Sequence, residues 1–315
     1  MSPEASKETV SPLTAAGCKP WQSPELFAAN RLPMRATAFP FATEAQAFSG
    51  RRKESPWFLP LDGAWRFRIR PCPEDVTFDD VAATDLETWP AIAVPGNWTL
   101  QGYGQPHYTN IQMPFPEEPP QVPAANPTGV YARTVDLPPA WRGRRIVLHF
   151  GGAESVLTVF VNGRSVGLSK DSRLPAEFDL TDFLSWERKN VLTAVVVKWS
   201  DASFIEDQDQ WWMAGLHREV YLYSTAPTYL ADIFATGSLE NDYVDGRLDL
   251  RVKVGFSGAL ERGWRVDARV FDPAGASCSD APLWGEVPVG APTSWPRLQV
   301  ELRHDFKNVL RWSAE

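Results

Sequence analysis

An all-β chain is predicted by three observations. Pro and Gly, 28 and 21 of 315 residues, punctuate the chain too often for long helices. Apolar and polar residues alternate over runs of strand length, and an Asn-Gly pair closes one of those runs. In chain order, residues 1–50 are rich in Pro, Ala and Ser with weak periodicity. They read as an extended arm lying on something else, with Trp21, Leu26 and Phe27 as candidate anchors. Trp65-Arg-Phe67-Arg-Ile69 and Leu157-Thr-Val159-Phe-Val161 each alternate, so each predicts a strand with one apolar face. Asn162-Gly163 then predicts a type I′ hairpin, because both central positions of that turn need positive φ. Ile146–Phe150 and Val191–Val197 are unbroken apolar runs, which suit strands covered on both faces. Short strands joined by long Pro-rich loops make residues 51–225 a jelly-roll β-sandwich. A second group starts near Tyr229, where Leu248–Val254 and Trp264–Val270 alternate and Asp272-Pro-Ala-Gly275 forms a turn. Residues 226–315 therefore read as an immunoglobulin-like sandwich that lacks its last strands.

Composition narrows the function. Hydrophobic residues are 43% and charged residues 22%, as in ordinary globular domains. A net charge of −8 argues against nucleic acid or an anionic membrane as partner, since both need clustered Lys and Arg. Cys18, Cys72 and Cys278 are too few and too scattered for a disulfide framework or a thiolate metal site. The first ten residues carry no apolar core of a secretion signal, and no run approaches the ~18 apolar residues that span a bilayer. A cytoplasmic protein with reduced thiols is expected. The formal glycosylation sequon Asn97-Trp-Thr99 carries no weight without a secretion signal.

Two stretches concentrate polar chemistry. Ser200–Trp212 brings Asp201, Glu206, Asp207 and Asp209 beside Trp211 and Trp212. An acid/base pair for glycoside cleavage, hard oxygen ligands for a cation or a sugar, and a solvated acidic turn all remain open. An EF-hand is excluded, because counting from Asp207 there is no Gly at the sixth position and no Glu at the twelfth. Pro95–Asn110 is Gly-rich and aromatic but lacks the Lys and following helix of a phosphate loop. Its amides and rings suit sugar hydroxyls, and they equally suit a structural loop with Asn in its turns. His107, His149, His217 and His304 show no zinc spacing, and His149 in an apolar run predicts a partnered sheet histidine. Ser155 lacks the surroundings of a nucleophile elbow.

Taken together, several blocks in one order resemble the N-terminal region of the β-galactosidases of glycoside hydrolase family 2, the lacZ type. They are Asn30-Arg-Leu32, Leu61–Phe67, Val94–Trp98, Tyr108-Thr-Asn110, Asn126–Tyr131, Asp171–Asp179, Trp199–Asp209 and Met213–Leu216, with a weaker match at the end of the chain. The resemblance implies a jelly-roll sugar-binding domain and an immunoglobulin-like domain ahead of a catalytic barrel. It implies that Asn110 contacts the galactose side of the substrate, and that Asp209 binds galactose hydroxyls and a shared Na+. For the full-length enzyme it implies Na+ and Mg2+, homo-oligomers, and an arm that reaches subunit contacts. The family's two catalytic glutamates, with their His-Tyr-Pro and Asp-Glu-Ala-Asn blocks, occur nowhere in these residues. A barrel takes about 250 residues, so no catalytic residue is expected in this chain. The expected function is that of a non-catalytic part of a retaining β-galactosidase acting on lactose-like β-galactosides. The alternatives are a stand-alone carbohydrate-binding or scaffold protein, and part of a family 2 β-glucuronidase or β-mannosidase.

Overall fold

The computed structural model describes residues 11–259, 261–288 and 298–312. They fall into two compact units, Met1–Met34 with Phe41–Ser224 and Arg35–Pro40 with Thr225–Glu315.

In the first unit a seven-stranded antiparallel sheet runs in the spatial order Ala28–Ala29, Arg164–Lys170, Val156–Val161, Asn190–Val197, Thr128–Val135, Gly63–Arg70, Ala91–Val94. A four-stranded sheet, in the order Ala176–Asp179, Arg145–Phe150, Val220–Thr225, Phe58–Pro60, accompanies it. The unbroken apolar runs have a clear cause. In Asn190–Val197, Ala194 and Val196 belong to a core shared with Leu148, Phe150, Phe178 and Leu222 of the smaller sheet. The alternate residues Val195 and Val197 enter a second core on the other face, with Val76, Val81, Trp89, Trp199 and Trp212. A strand covered on both faces is mostly apolar, and its two polar residues, Asn190 and Thr193, are buried as well. Asn162 and Gly163 take φ of 53° and 76°, as the type I′ hairpin between Val156–Val161 and Arg164–Lys170 requires.

Residues 11–34 of the N-terminal stretch are part of this unit. Leu13 and Trp21 are buried in the second core, and Ala28–Ala29 adds an edge strand to the large sheet. Phe27 is 60% exposed, so of the three candidate anchors Trp21 is the one fully seated. His149 sits in its strand with Nδ1 3.0 Å from Glu177 Oε1 and its ring stacked on Tyr221, a partnered sheet histidine. All three cysteines are free thiols, and among the described residues no helix is long and apolar enough to cross a membrane.

The second unit is a long hairpin, Thr228–Glu240 with Asp245–Phe256, extended by Gln299–Phe306. Arg265–Ala268 pairs with Leu283–Glu286 in a two-stranded sheet. Leu250, Val252 and Val254 meet Val300, Leu302, Val266 and Val287 in one small core, the inward set of the predicted alternation. These are five strands among the described residues, against seven in the smaller immunoglobulin sandwiches. The alternating run that begins at Trp264 forms a strand only over Arg265–Ala268.

Candidate functional site

Both polar stretches turn out to contain regular structure. Ser200–Trp212 is not a continuous loop. Ser200 caps a short helix, Asp201–Glu206, through a capping box with Ser203, and Gln210–Trp212 forms a strand. That strand pairs antiparallel with His107–Thr109 of the Gly-rich stretch, setting Gln210 opposite Thr109, Trp211 opposite Tyr108 and Trp212 opposite His107. Asp209 directly precedes Gln210 and Asn110 directly follows Thr109, so both flank the last residue pair at the same end of the ribbon. Both residues are exposed there.

The period-two geometry of strands makes this ribbon two-faced. Thr109 and Trp212 turn inward, where the Trp212 indole N–H donates to Thr109 Oγ1 at 2.7 Å and the ring meets Trp199 at 5.4 Å. Tyr108 and Trp211, both about half exposed, turn outward with their rings 5.5 Å apart. The Tyr108 hydroxyl donates to Asp209 Oδ1, which raises the phenol's pKa above the usual range. The outer face thus carries two aromatic rings, one of them bonded to the Asp209 carboxylate.

The four carboxylates of this stretch have separate fates. Asp201 is buried and accepts two bonds from Lys170 Nζ at 2.7 and 2.8 Å. Glu206 accepts from the Ser172 backbone N–H and, at 2.5 Å, the Ser172 hydroxyl, while burial pushes its pKa up. Asp207 accepts from Thr109 Oγ1 at 2.6 Å. Asp209 alone of the four is exposed. Among the described residues no group of three or more His, Cys, Asp and Glu stands together as a metal site, so Asp209 offers a hard cation one carboxylate.

Sequence reasoning did not single out the groups beneath the ribbon. Lys198 Nζ bonds to Gln105 O at 3.1 Å and lies 3.0 Å from His107 Nδ1, and burial brings its pKa down to about 8. Glu154, 2% exposed, accepts from the Met213 backbone N–H at 3.1 Å. Burial raises its pKa, opposed by Arg173 with Nη1 3.5 Å from Glu154 Oε2. Each group sits in a strand or loop remote in sequence from the ribbon, and short-range spacing carries no signal of such contacts.

A carboxylate held beside aromatic faces on a β-sandwich, with an exposed amide at the same end of the ribbon, suits recognition of sugar hydroxyls. Residues 58–226 match the family described as "Glycosyl hydrolases family 2, sugar binding domain". The chain belongs to glycoside hydrolase family 2. It is 35% identical over 309 residues to a β-galactosidase of Priestia megaterium, the match taking in 96% of this chain and 29% of that protein. It is 40% identical over 314 residues to a β-galactosidase of Aeromonas hydrophila, covering 92% and 30% respectively. The chain therefore spans about three-tenths of the length of these relatives. A solved β-glucuronidase of Bacteroides uniformis shares the fold with a TM-score of 0.61 at 17% identity, over 81% of this chain and 28% of that one.

Proposed function

We propose that this chain is the N-terminal, non-catalytic part of a retaining β-galactosidase, supplying one wall of its sugar site. The observation that carries the reading is that Asn110 and Asp209, both exposed, flank the last residue pair at one end of a single ribbon, in a family 2 chain similar to β-galactosidases. In a retaining glycosidase one carboxylate attacks the anomeric carbon and another protonates the leaving oxygen. In this reading both lie on polypeptide outside these residues. The contribution of this chain is orientation. Asn110 can donate to and accept from sugar hydroxyls, while Asp209 accepts from them, and Tyr108 holds one Asp209 oxygen. Binding energy gathered there, away from the reacting bond, lowers the chemical barrier.

Asp209 also offers the carboxylate that a shared Na+ would use, and Mg2+ belongs to the full-length enzyme. Cytoplasmic location, assembly as a homo-oligomer and subunit contacts by the arm belong to the same proposal.

The test compares the isolated chain with the full-length enzyme on nitrophenyl β-galactoside, β-glucuronide and β-mannoside. Turnover of the galactoside by the full-length enzyme alone is expected. Turnover by the pure 315-residue chain, or preference of the enzyme for the glucuronide or mannoside, overturns the proposal. Millimolar or tighter galactoside binding by the isolated chain, read as a Trp fluorescence change, would instead mark a stand-alone binding module.

A further inference from the structure

A strand of three residues paired with another of three cannot hold its own position, since even longer isolated two-stranded ribbons are marginal in water. Trp212 is anchored in the second core, and the first residue of Gln210–Trp212 is tied down by a turn some 40 residues earlier in the chain. Asp171 Oδ1 accepts from the backbone N–H groups of Arg173 and Leu174, both at 3.0 Å, and so shapes that turn. Arg173 Nη2 donates to Gln210 Oε1 at 2.9 Å, and the Gln210 amide donates onward to Glu206 O at 2.9 Å. Nη1 of the same guanidinium faces Glu154, whose other oxygen takes the Met213 N–H. One guanidinium and one buried carboxylate therefore bracket the strand, at Gln210 where it begins and at Met213 just after it ends. Asp209 is the residue immediately before the first of those ties.

We propose that Arg173, backed by Glu154, is a positioning residue that fixes the ribbon and through it the place of Asp209; this rests on the sugar-contact reading above. The geometry calls for a planar fork, with one nitrogen on Gln210 and another toward Glu154. A Lys ammonium is a single point charge on a flexible stem and does not reproduce both contacts.

The test is a double-mutant cycle in the full-length enzyme, using Arg173→Lys, Asp209→Asn and the pair, with KM and kcat measured on nitrophenyl β-galactoside. Arg173→Lys is expected to raise KM about tenfold in the otherwise unchanged enzyme but less than about twofold when Asp209 is already Asn, because residues acting through one another are not additive. The melting temperature should stay within about 2 °C, a change too small to explain such a loss. Equal factors in the two backgrounds, or an unchanged KM, overturn the proposal. If Asp209→Asn itself leaves the kinetics untouched, the sugar-contact reading fails instead. The positioning role is then decided on the 315-residue chain by acrylamide quenching of Trp211, isolated by subtracting the Trp211→Phe signal. Quenching should rise by at least about half with Arg173→Lys, as a loosened element opens more often, and an unchanged value overturns the role. Should Arg173→Lys fail to fold, Gln210→Ala removes the same tie from the ribbon side and is held to the same outcomes.

Discussion

Asp209 holds its backbone at a φ of 37°, in the left-handed region that Asp and Asn tolerate and most side chains avoid. The residue type thus satisfies the turn and at the same time presents a carboxylate at its tip. Asn110 beside it makes a cleaner probe of contact, because an exposed amide contributes little to folding. Asn110→Ala should raise KM for an aryl β-galactoside in the full-length enzyme by about tenfold, the worth of roughly one good hydrogen bond, without shifting the melting temperature. His217 offers a different test. Both its ring nitrogens are buried, and burial, helped by Arg173 and opposed by the Gly215 backbone, takes its pKa from 6.5 to about 4. A depressed folded-state value means the unfolded chain binds the extra proton first. Stability from this group is complete above pH 6.5 and drains away as pH falls toward 4. His217→Leu should flatten the acid side of a melting temperature against pH curve over that window, and an unchanged slope would refute the assignment. Asn110 and Asp209 were legible in the sequence because their blocks resemble a family's. Arg173 also lies in such a block, but its ties to Gln210 and Glu154, like Glu154 itself, form only where distant segments meet and leave no sign in the sequence.

At the scale of elements, the strands show in the sequence wherever they are long. Gly63–Arg70 and Asp245–Phe256 carry enough alternation to be read directly, and the doubly covered strand Asn190–Val197 shows as an apolar run. The ribbon strands do not, because three residues give a period of two no room to repeat. The helix Asp201–Glu206 hides for a similar reason, having fewer than two turns, and its acidic letters suggest a solvated loop. Its first residue is in fact buried. The Lys170–Asp201 pair, with both side chains about 5% exposed and Lys170 Nζ also bonded to Ser23 O at 2.8 Å, ties helix, sheet and N-terminal stretch together. Asp201→Asn leaves an ammonium buried without its countercharge and should cost about 3–5 kcal/mol, read by urea unfolding of the 315-residue chain. A loss below about 1 kcal/mol, the worth of a surface pair, would show that the pair is not sequestered as described.

For the whole molecule, the N-terminal stretch is held by one of the anchors its sequence offers. A Pro- and Ala-rich sequence with scattered apolar residues reads as an arm lying on something else, and Leu13 and Trp21 enter the second core on one face of the large sheet. Two large side chains are enough to bury a segment when the sheet beneath supplies the rest of the core, and no periodicity is then needed. Trp21→Ala should cost about 3–5 kcal/mol by the same unfolding measurement, where a segment merely resting on the surface would lose little. The second unit shows its alternation plainly but has a small core, and its sequence says less about how its strands group than about where they run. The proposed function turns on the ribbon being part of a galactoside site. The most direct measurement is kcat/KM on nitrophenyl β-galactoside for Asp209→Asn in the full-length enzyme, a change that keeps the shape and the backbone and removes only the charge. The account predicts a fall of about 100-fold or more, in line with the loss of a charged contact to a bound substrate, and a value within about twofold of the parent would contradict it.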